Sequence, residues 1–219
     1  MDIVKNIYKS RKTVLEMLRD RGYDTKSYEN FTPNEINIMI YQHKNMTSGT
    51  NKHNSKQGPL DIKIKRPDGR TIFVKYKMDK FRITKSFETF ITDIFTNEID
   101  KHDTLILLVG EHIKISGTIE KFIQDSYNDK GRFIQVYSVF HLLFNISRHT
   151  LVSPHIIISE REKEEVMRKY NITSVKQFPT ISREDAAAKY YGIRPGDICR
   201  IVVTSGVSGE YIKYRHCTP

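Results

Sequence analysis

The stretch SREDAAAKYYGIRPGDICRIVVTSGVSGEYIKYRHC, Ser182 to Cys217, decides how the chain is read. Ser182 is placed to cap a helix, with Glu184 and Asp185 in the first turn, where the helix dipole favours acids. Three alanines follow, the best helix formers. Gly192 can supply the left-handed residue past the helix end, and Pro195-Gly196 turns the chain. Ile198 to Val203 is β-branched apart from Cys199 and Arg200, and Tyr211 to Tyr214 is similarly strand-like. The segment Ser205 to Gly209 carries two glycines, enough for a hairpin. The stretch therefore specifies a small α+β unit with no nucleophile–base pair and no ligand cluster.

Working outward, the 219 residues suit one large domain or two small ones, and 38% hydrophobic with 11% aromatic content supports packed cores. No apolar run of about 18 residues exists to span a membrane, and the Met1-Asp2-Ile3-Val4-Lys5 start lacks the apolar core of a signal peptide. Cys199 and Cys217 are too few for a disulfide framework or a cysteine zinc site, and Cys199 reads as a small buried residue. The net charge of +10 invites an acidic partner such as nucleic acid. Most of the excess lies between Lys44 and Lys85, where 12 basic residues face only Asp61, Asp68 and Asp79.

Ile3, Ile7, Val14, Leu15 and Leu18 form a helical stripe that Gly22 can stop. Thr32, before Pro33 and three residues ahead of Glu35, starts a second helix. Asn45 to Gly58 is polar and reads as a flexible loop. Leu60 to Lys65 alternates apolar and polar, Pro67-Asp68-Gly69 turns back, and Thr71 to Lys77 completes a hairpin. Lys63, Lys65, Lys75 and Lys77 would share one face of it, a basic ladder suited to water or phosphate. A helix through Phe87–Ile99, a buried strand Thr104–Val109, a helix through Ile119–Tyr127, a strand Phe133–Tyr137 and a short helix over Ser138–Ile146 follow. That order predicts an α/β layer fold with the last two strands parallel. Beyond it, Ser159 and Glu162 are read as a capping box opening a charged helix that Asn171 ends.

Several of these elements resemble the fifth subunit shared by the nuclear RNA polymerases of eukaryotes, whose carboxy-terminal module has a shorter archaeal relative. In the closing stretch the matching residues are Asp185, Ala187, Tyr190 or Tyr191, Gly192, Arg194, Gly196, Asp197, Arg200, Ile201, Ser205, Gly209, Tyr211, Tyr214 and Arg215. Arg11-Lys12-Thr13 with Asp20-Arg21-Gly22-Tyr23 matches an amino-terminal element that the eukaryotic protein has and the archaeal one lacks. Asn145-Ile146-Ser147 with His149-Thr150-Leu151-Val152 and His155 matches the junction between the two domains of the eukaryotic protein. The likeness departs at Val203-Thr204-Ser205-Gly206, where the family carries Arg-Pro-Ser-Glu, and at Glu210, where it carries Arg.

The resemblance implies an α+β protein of two domains. Residues 1–147 would be a jaw domain similar to an inactive restriction-endonuclease-like α/β three-layer fold, and residues 148–219 an assembly domain. It implies a non-catalytic component of RNA polymerase, without cofactor or metal. Such a component would help hold downstream duplex DNA and dock on the largest subunit; it would meet no membrane and not self-associate. The subunit interface would involve His155, Asp185, Gly192, Arg194, Gly196, Asp197, Arg200, Ser205, Gly209, Tyr211, Tyr214 and Arg215. Candidate DNA contacts are Arg11, Lys12, Lys63, Lys65, Lys75 and Lys77, with Lys114 and Ser116 near the place of the family's DNA-facing jaw element. The implied location is nucleus or cytoplasm, with a virion if the source is a large DNA virus.

The competing reading is a free-standing Mg²⁺-dependent nuclease or basic nucleic-acid-binding protein. Pro59-Leu60-Asp61 followed by Lys75-Tyr76-Lys77 outlines a nuclease core in which two carboxylates hold the metal and a Lys assists the attacking water. Lys75 stands where the second carboxylate belongs, and a cation there repels a metal.

Overall fold

The computed structural model describes residues 3–47, 56–77, 85–110, 117–206 and 209–219. The chain divides into two compact units, Met1–Phe144 and Asn145–Pro219.

In the first unit, helices α1 (Ile3–Asp20) and α2 (Pro33–Thr47) precede strands β1 (Ile62–Lys65) and β2 (Thr71–Lys77); α3 (Lys85–Asn97), β3 (Thr104–Val109), α4 (Gly117–Lys130) and β4 (Phe133–Ser138) follow. The sheet order is β1-β2-β3-β4, with the hairpin antiparallel and the other two pairings parallel. β3 is buried at all six positions. This explains its unbroken apolar sequence, because a central parallel strand is covered on both faces. One face, with Phe73, Leu105, Leu107, Ile134 and Val136, packs on Phe87, Phe90, Ile91 and Ile94 of α3 and on Ile119 and Ile123 of α4. The other face meets α1 and the turn after it: Arg21 Nη2 donates to Gln135 Oε1 at 2.9 Å, and the Tyr137 hydroxyl donates to Met17 Sδ at 3.8 Å. Helices on both sides of the sheet make three layers. The start of α2 is fixed as its sequence requires, with Glu35 N–H donating to Thr32 Oγ1 at 3.3 Å and Thr32 N–H donating back to Glu35 Oε2 at 2.7 Å.

The second unit is built on β5 (His155–Ile157), β6 (Thr180–Ser182), β7 (Ile198–Ser205) and β8 (Gly209–Thr218), in the order β5-β7-β8-β6. Helix α6 (Ala186–Tyr191) covers one face through Ala188, which clusters with Cys199, Ile201 and Cys217. Helix α5 (Glu160–Lys169) covers the other through Val166, beside Ile198 and Phe178. No helix among the described residues is long and apolar enough to cross a membrane.

Four local expectations are corrected. The short helix expected over Ser138–Ile146 is a 3₁₀ helix confined to Val139–Leu142, and a second one begins at Ile146; Ser138 and Asn145 cap the two. The cap of α6 is Asp185, whose carboxylate accepts from Ala187 and Ala188 N–H at 2.8 and 3.2 Å, because Ser182 is drawn into β6. Ser159 caps α5, but Glu162 bonds Arg200 at 3.0 Å; the reciprocal capping box forms instead at Ser174 and Gln177. Asn45–Thr47 belongs to α2, and residues 48–55 of the expected loop lie outside the described residues.

Candidate functional site

The hairpin register decides the chemistry of the first unit. Ile62 pairs with Val74, which brings Asp61, just before β1, beside Lys75. Lys75 Nζ donates to Asp61 Oδ2 at 2.7 Å and also to the Lys56 carbonyl. Gly58 N–H donates to the same carboxylate oxygen at 2.6 Å, and Tyr76 N–H to Oδ1 at 2.8 Å. The two residues are 2% and 3% exposed, so this is a buried ion pair. Its desolvation is offset by the Lys56 carbonyl on one side and the Gly58 and Tyr76 N–H groups on the other. The turn fits closely. A Cβ at Gly58 would lie 2.6 Å from His43 Nδ1 and 3.2 Å from Asp61 Oδ2. His43 Nε2 in turn stands 2.9 Å from the Tyr76 carbonyl. Where a nuclease would gather carboxylates, Asp61 has an ammonium. Among the described residues no cluster of three or more His, Cys, Asp or Glu could hold a metal ion.

The four lysines do share one face by alternation, but that face is not an open basic ladder. Phe73 stands between them and belongs to the core beneath α3. Lys75 is buried in its pair. Lys63 bonds Glu98 at 3.1 Å and lies 5.9 Å from the Phe73 ring, and Lys77 is half-buried with its ammonium 5.4 Å from the Phe90 ring. Only Lys65 of the four is exposed. Separate partners for Lys63 and Lys75 remove the cross-strand repulsion that made a phosphate-facing ladder attractive. Arg11 is a second correction. It is 3% exposed, donates through Nη1 to the Leu60 carbonyl at 2.6 Å, and lies 6.0 and 5.5 Å from the Tyr28 and Phe31 rings. Neither Arg11 nor Lys75 presents its charge to a duplex; both brace the chain around Asp61. Lys12 is exposed. Lys114 and Ser116 lie outside the described residues.

In the second unit, most residues singled out for an interface hold the fold itself. Gly192 ends α6 at φ 70°, a left-handed conformation that favours glycine. Arg194 N–H donates to Asp197 Oδ2 at 2.7 Å, and Gly196 N–H donates to the Cys217 carbonyl at 3.0 Å, closing the turn into β7. Arg200 pairs with Glu162 across to α5, and Arg215 Nη1 donates to the Thr180 carbonyl at 2.7 Å, tying β8 to β6. His155 Nδ1 lies 2.8 Å from the Ser153 carbonyl, and its ring stacks on Tyr191 at 5.7 Å. Tyr214 packs into the α5 side of the core, 6.3 Å from the Tyr170 ring. The candidates that do face outward are Asp185, whose carboxylate is the α6 cap, with Gly196, Gly209 and Tyr211; the Ser205 side chain lies outside the described residues.

Residues that carried no signal in the sequence join Tyr211 as exposed apolar surface: Ile212 on β8, and Ile156 and Ile157 on the edge strand β5. A three-residue strand leaves no period to detect. Burial pushes the Cys199 thiol up to about 11 and the Cys217 thiol up to about 12, so neither is a nucleophile near neutrality. Burial likewise pushes the Tyr76 phenol up to about 12.

Residues 144–217 match the family model described as RNA polymerase Rpb5, C-terminal domain. Over 99% of its length the chain is 29% identical to the rpabc1 subunit of DNA-directed RNA polymerases I, II and III of Dictyostelium discoideum, covering all of that protein. It is 25% identical to subunit 5B of RNA polymerases IV and V of Arabidopsis thaliana, over 95% of this chain and 88% of the relative. It is also 25% identical to the RPABC1 subunit of Caenorhabditis elegans, over 95% and 94%. The chain is thus similar along nearly all of its length to the shared fifth subunit, in keeping with the resemblance carried by its motifs.

Proposed function

We propose that this chain is a non-catalytic subunit of a DNA-directed RNA polymerase. The observation that carries the reading is the similarity over 95–99% of the chain to such subunits. The Asp61–Lys75 pair supports the non-catalytic part, because the ammonium fills the place a second metal-binding carboxylate would need. The free nuclease reading has no such support.

Within that role, residues 1–147 act as a jaw and residues 148–219 as the assembly domain. The reading of the jaw as an inactive restriction-endonuclease-like fold is supported by its antiparallel hairpin leading into parallel strands, with Asp61, Lys75 and Lys77 at the corresponding places. The assembly domain docks on the largest polymerase subunit. The exposed Ile156, Ile157, Tyr211 and Ile212 support this, as large apolar side chains suited to burial against a partner. Downstream duplex DNA is held by phosphate attraction without base readout, with Lys12 and Lys65 as the exposed members of the candidate contacts. The nuclear polymerases of the relatives favour the nucleus as the place of action over a virion.

Affinity purification of the tagged chain from its own cells tests the reading. Recovery of the largest polymerase subunits in stoichiometric amount is expected; their absence overturns it. Mg²⁺-dependent DNA cleavage by the pure chain, abolished by Asp61→Ala, would establish the nuclease instead.

A further inference from the structure

A cleft of about 280 Å³ opens along α1 in the first unit. Tyr8, Arg11, Lys12 and Leu15 line it at helical spacing, and the stripe continues to Arg19. At ~1.5 Å per residue the lined part of the helix runs roughly 16 Å. Tyr28 and Phe31 stand on the opposite wall.

The electrostatics of this cleft are incomplete. Arg11 is buried, yet among the described residues no carboxylate pairs with it and its Nε has no hydrogen-bond partner. Among the described residues, two aromatic rings, one carbonyl and the neighbouring Tyr76 phenol are what it has, none of them a counter-charge. A buried guanidinium without a counter-charge is costly, and an anion brought into the cleft would relieve it. Of the acids in the lining, Glu29 is already engaged: it accepts from Thr25 Oγ1 at 2.5 Å and from Arg19 at 2.7 Å. Those hydrogen bonds, Thr25 first, hold its carboxyl below the usual carboxylate range.

We infer that this cleft binds a short extended segment of a partner protein in which a carboxylate side chain neighbours an aromatic or aliphatic one. The carboxylate meets Lys12 at the rim and the field of Arg11 beneath it. The apolar neighbour packs against Tyr8, Leu15 and Phe31. Charge favours such a segment over nucleic acid. Arg11, Lys12 and Arg19 are offset by Glu16 and Glu29 in the same lining, leaving one positive charge in excess. That suits a single carboxylate and is too little for a polyanion, whose binding grows with the number of phosphates neutralised.

Selection of random displayed peptides on the immobilised full chain tests this. Enriched peptides are expected to carry Asp or Glu within a few residues of Phe, Leu or Ile. They should bind about tenfold more weakly to Lys12→Glu, an exposed position whose change leaves folding intact, and about tenfold more weakly when their acid is made an amide. Phe31→Ala, checked for unchanged thermal unfolding, should weaken them similarly. The inference is overturned if no peptide is enriched, if enriched peptides ignore Lys12→Glu, or if a short DNA duplex displaces them competitively.

Discussion

Replacing Lys75 by Met probes the buried pair at the centre of the first unit. The methionine side chain fills much of the same volume, so the change is chiefly the loss of the ammonium. Asp61 would then keep two hydrogen bonds, from Gly58 and Tyr76 N–H, and lose the donor at 2.7 Å that neutralises it. Removing one partner of a buried pair typically costs about 3–5 kcal/mol, because a charge is stranded. The two backbone donors hold the expected loss here to the lower end, about 3 kcal/mol. Amide exchange in β2 reads this directly, and a loss of that size corresponds to roughly 100-fold faster exchange through global opening of the unit. Urea unfolding followed by circular dichroism should show the same loss. The double variant Asp61→Asn, Lys75→Met should recover part of it, since no charge is left buried, while the amide nitrogen now faces one of the two backbone N–H donors. A single variant within about 0.5 kcal/mol of the parent would refute the reasoning. So would a double variant no more stable than the single.

Three further outcomes are expected. Gly58→Ala should destabilise the first unit by about 1–3 kcal/mol in urea unfolding, because its Cβ would press on His43 and Asp61, both held by their own bonds. Asp185→Ala should cost the second unit about 1 kcal/mol in thermal unfolding, and Asp185→Ser should restore most of it, since a serine oxygen can accept from the same N–H groups. The native chain should resist a thiol reagent at pH 8, while the denatured chain reacts at both cysteines. The folded thiols, raised from 9.0 to about 11 and about 12, keep their protons where unfolded thiols lose them. Their contribution to stability is therefore complete below about pH 9 and declines as the pH rises toward 11, which alkaline unfolding of Cys199→Ala would show as a weaker pH dependence.

Much of the architecture was legible because it rests on local rules. Helical periods located α1, α3 and α4, the unbroken apolar run from Thr104 to Val109 located the central strand, and Thr32 with Glu35 fixed the start of α2. Gly192 after three alanines marked the end of α6. In each case the cause lies within a few residues of the effect. The family resemblance was legible for the same reason, since residues such as Asp185, Gly192, Gly196 and Asp197 serve caps and turns close to themselves in sequence.

The placement of charge was a tertiary matter. Alternation put Lys63, Lys65, Lys75 and Lys77 on one face but could not say that α3 would cover it, nor that Glu98 would take Lys63 and Asp61 would take Lys75. Arg11 sits on the helix beside an exposed Lys12, and only the packing of Tyr28, Phe31 and the Leu60 carbonyl buries one and leaves the other in water. Strands β5 and β6 exist because β7 and β8 offer them backbone partners, which drew Ser182 out of the cap and passed that role to Asp185. Period and propensity are set by neighbours along the chain. Whether a cation is a contact for phosphate or a brace inside the molecule is set by the desolvation and countercharge that distant segments bring to it.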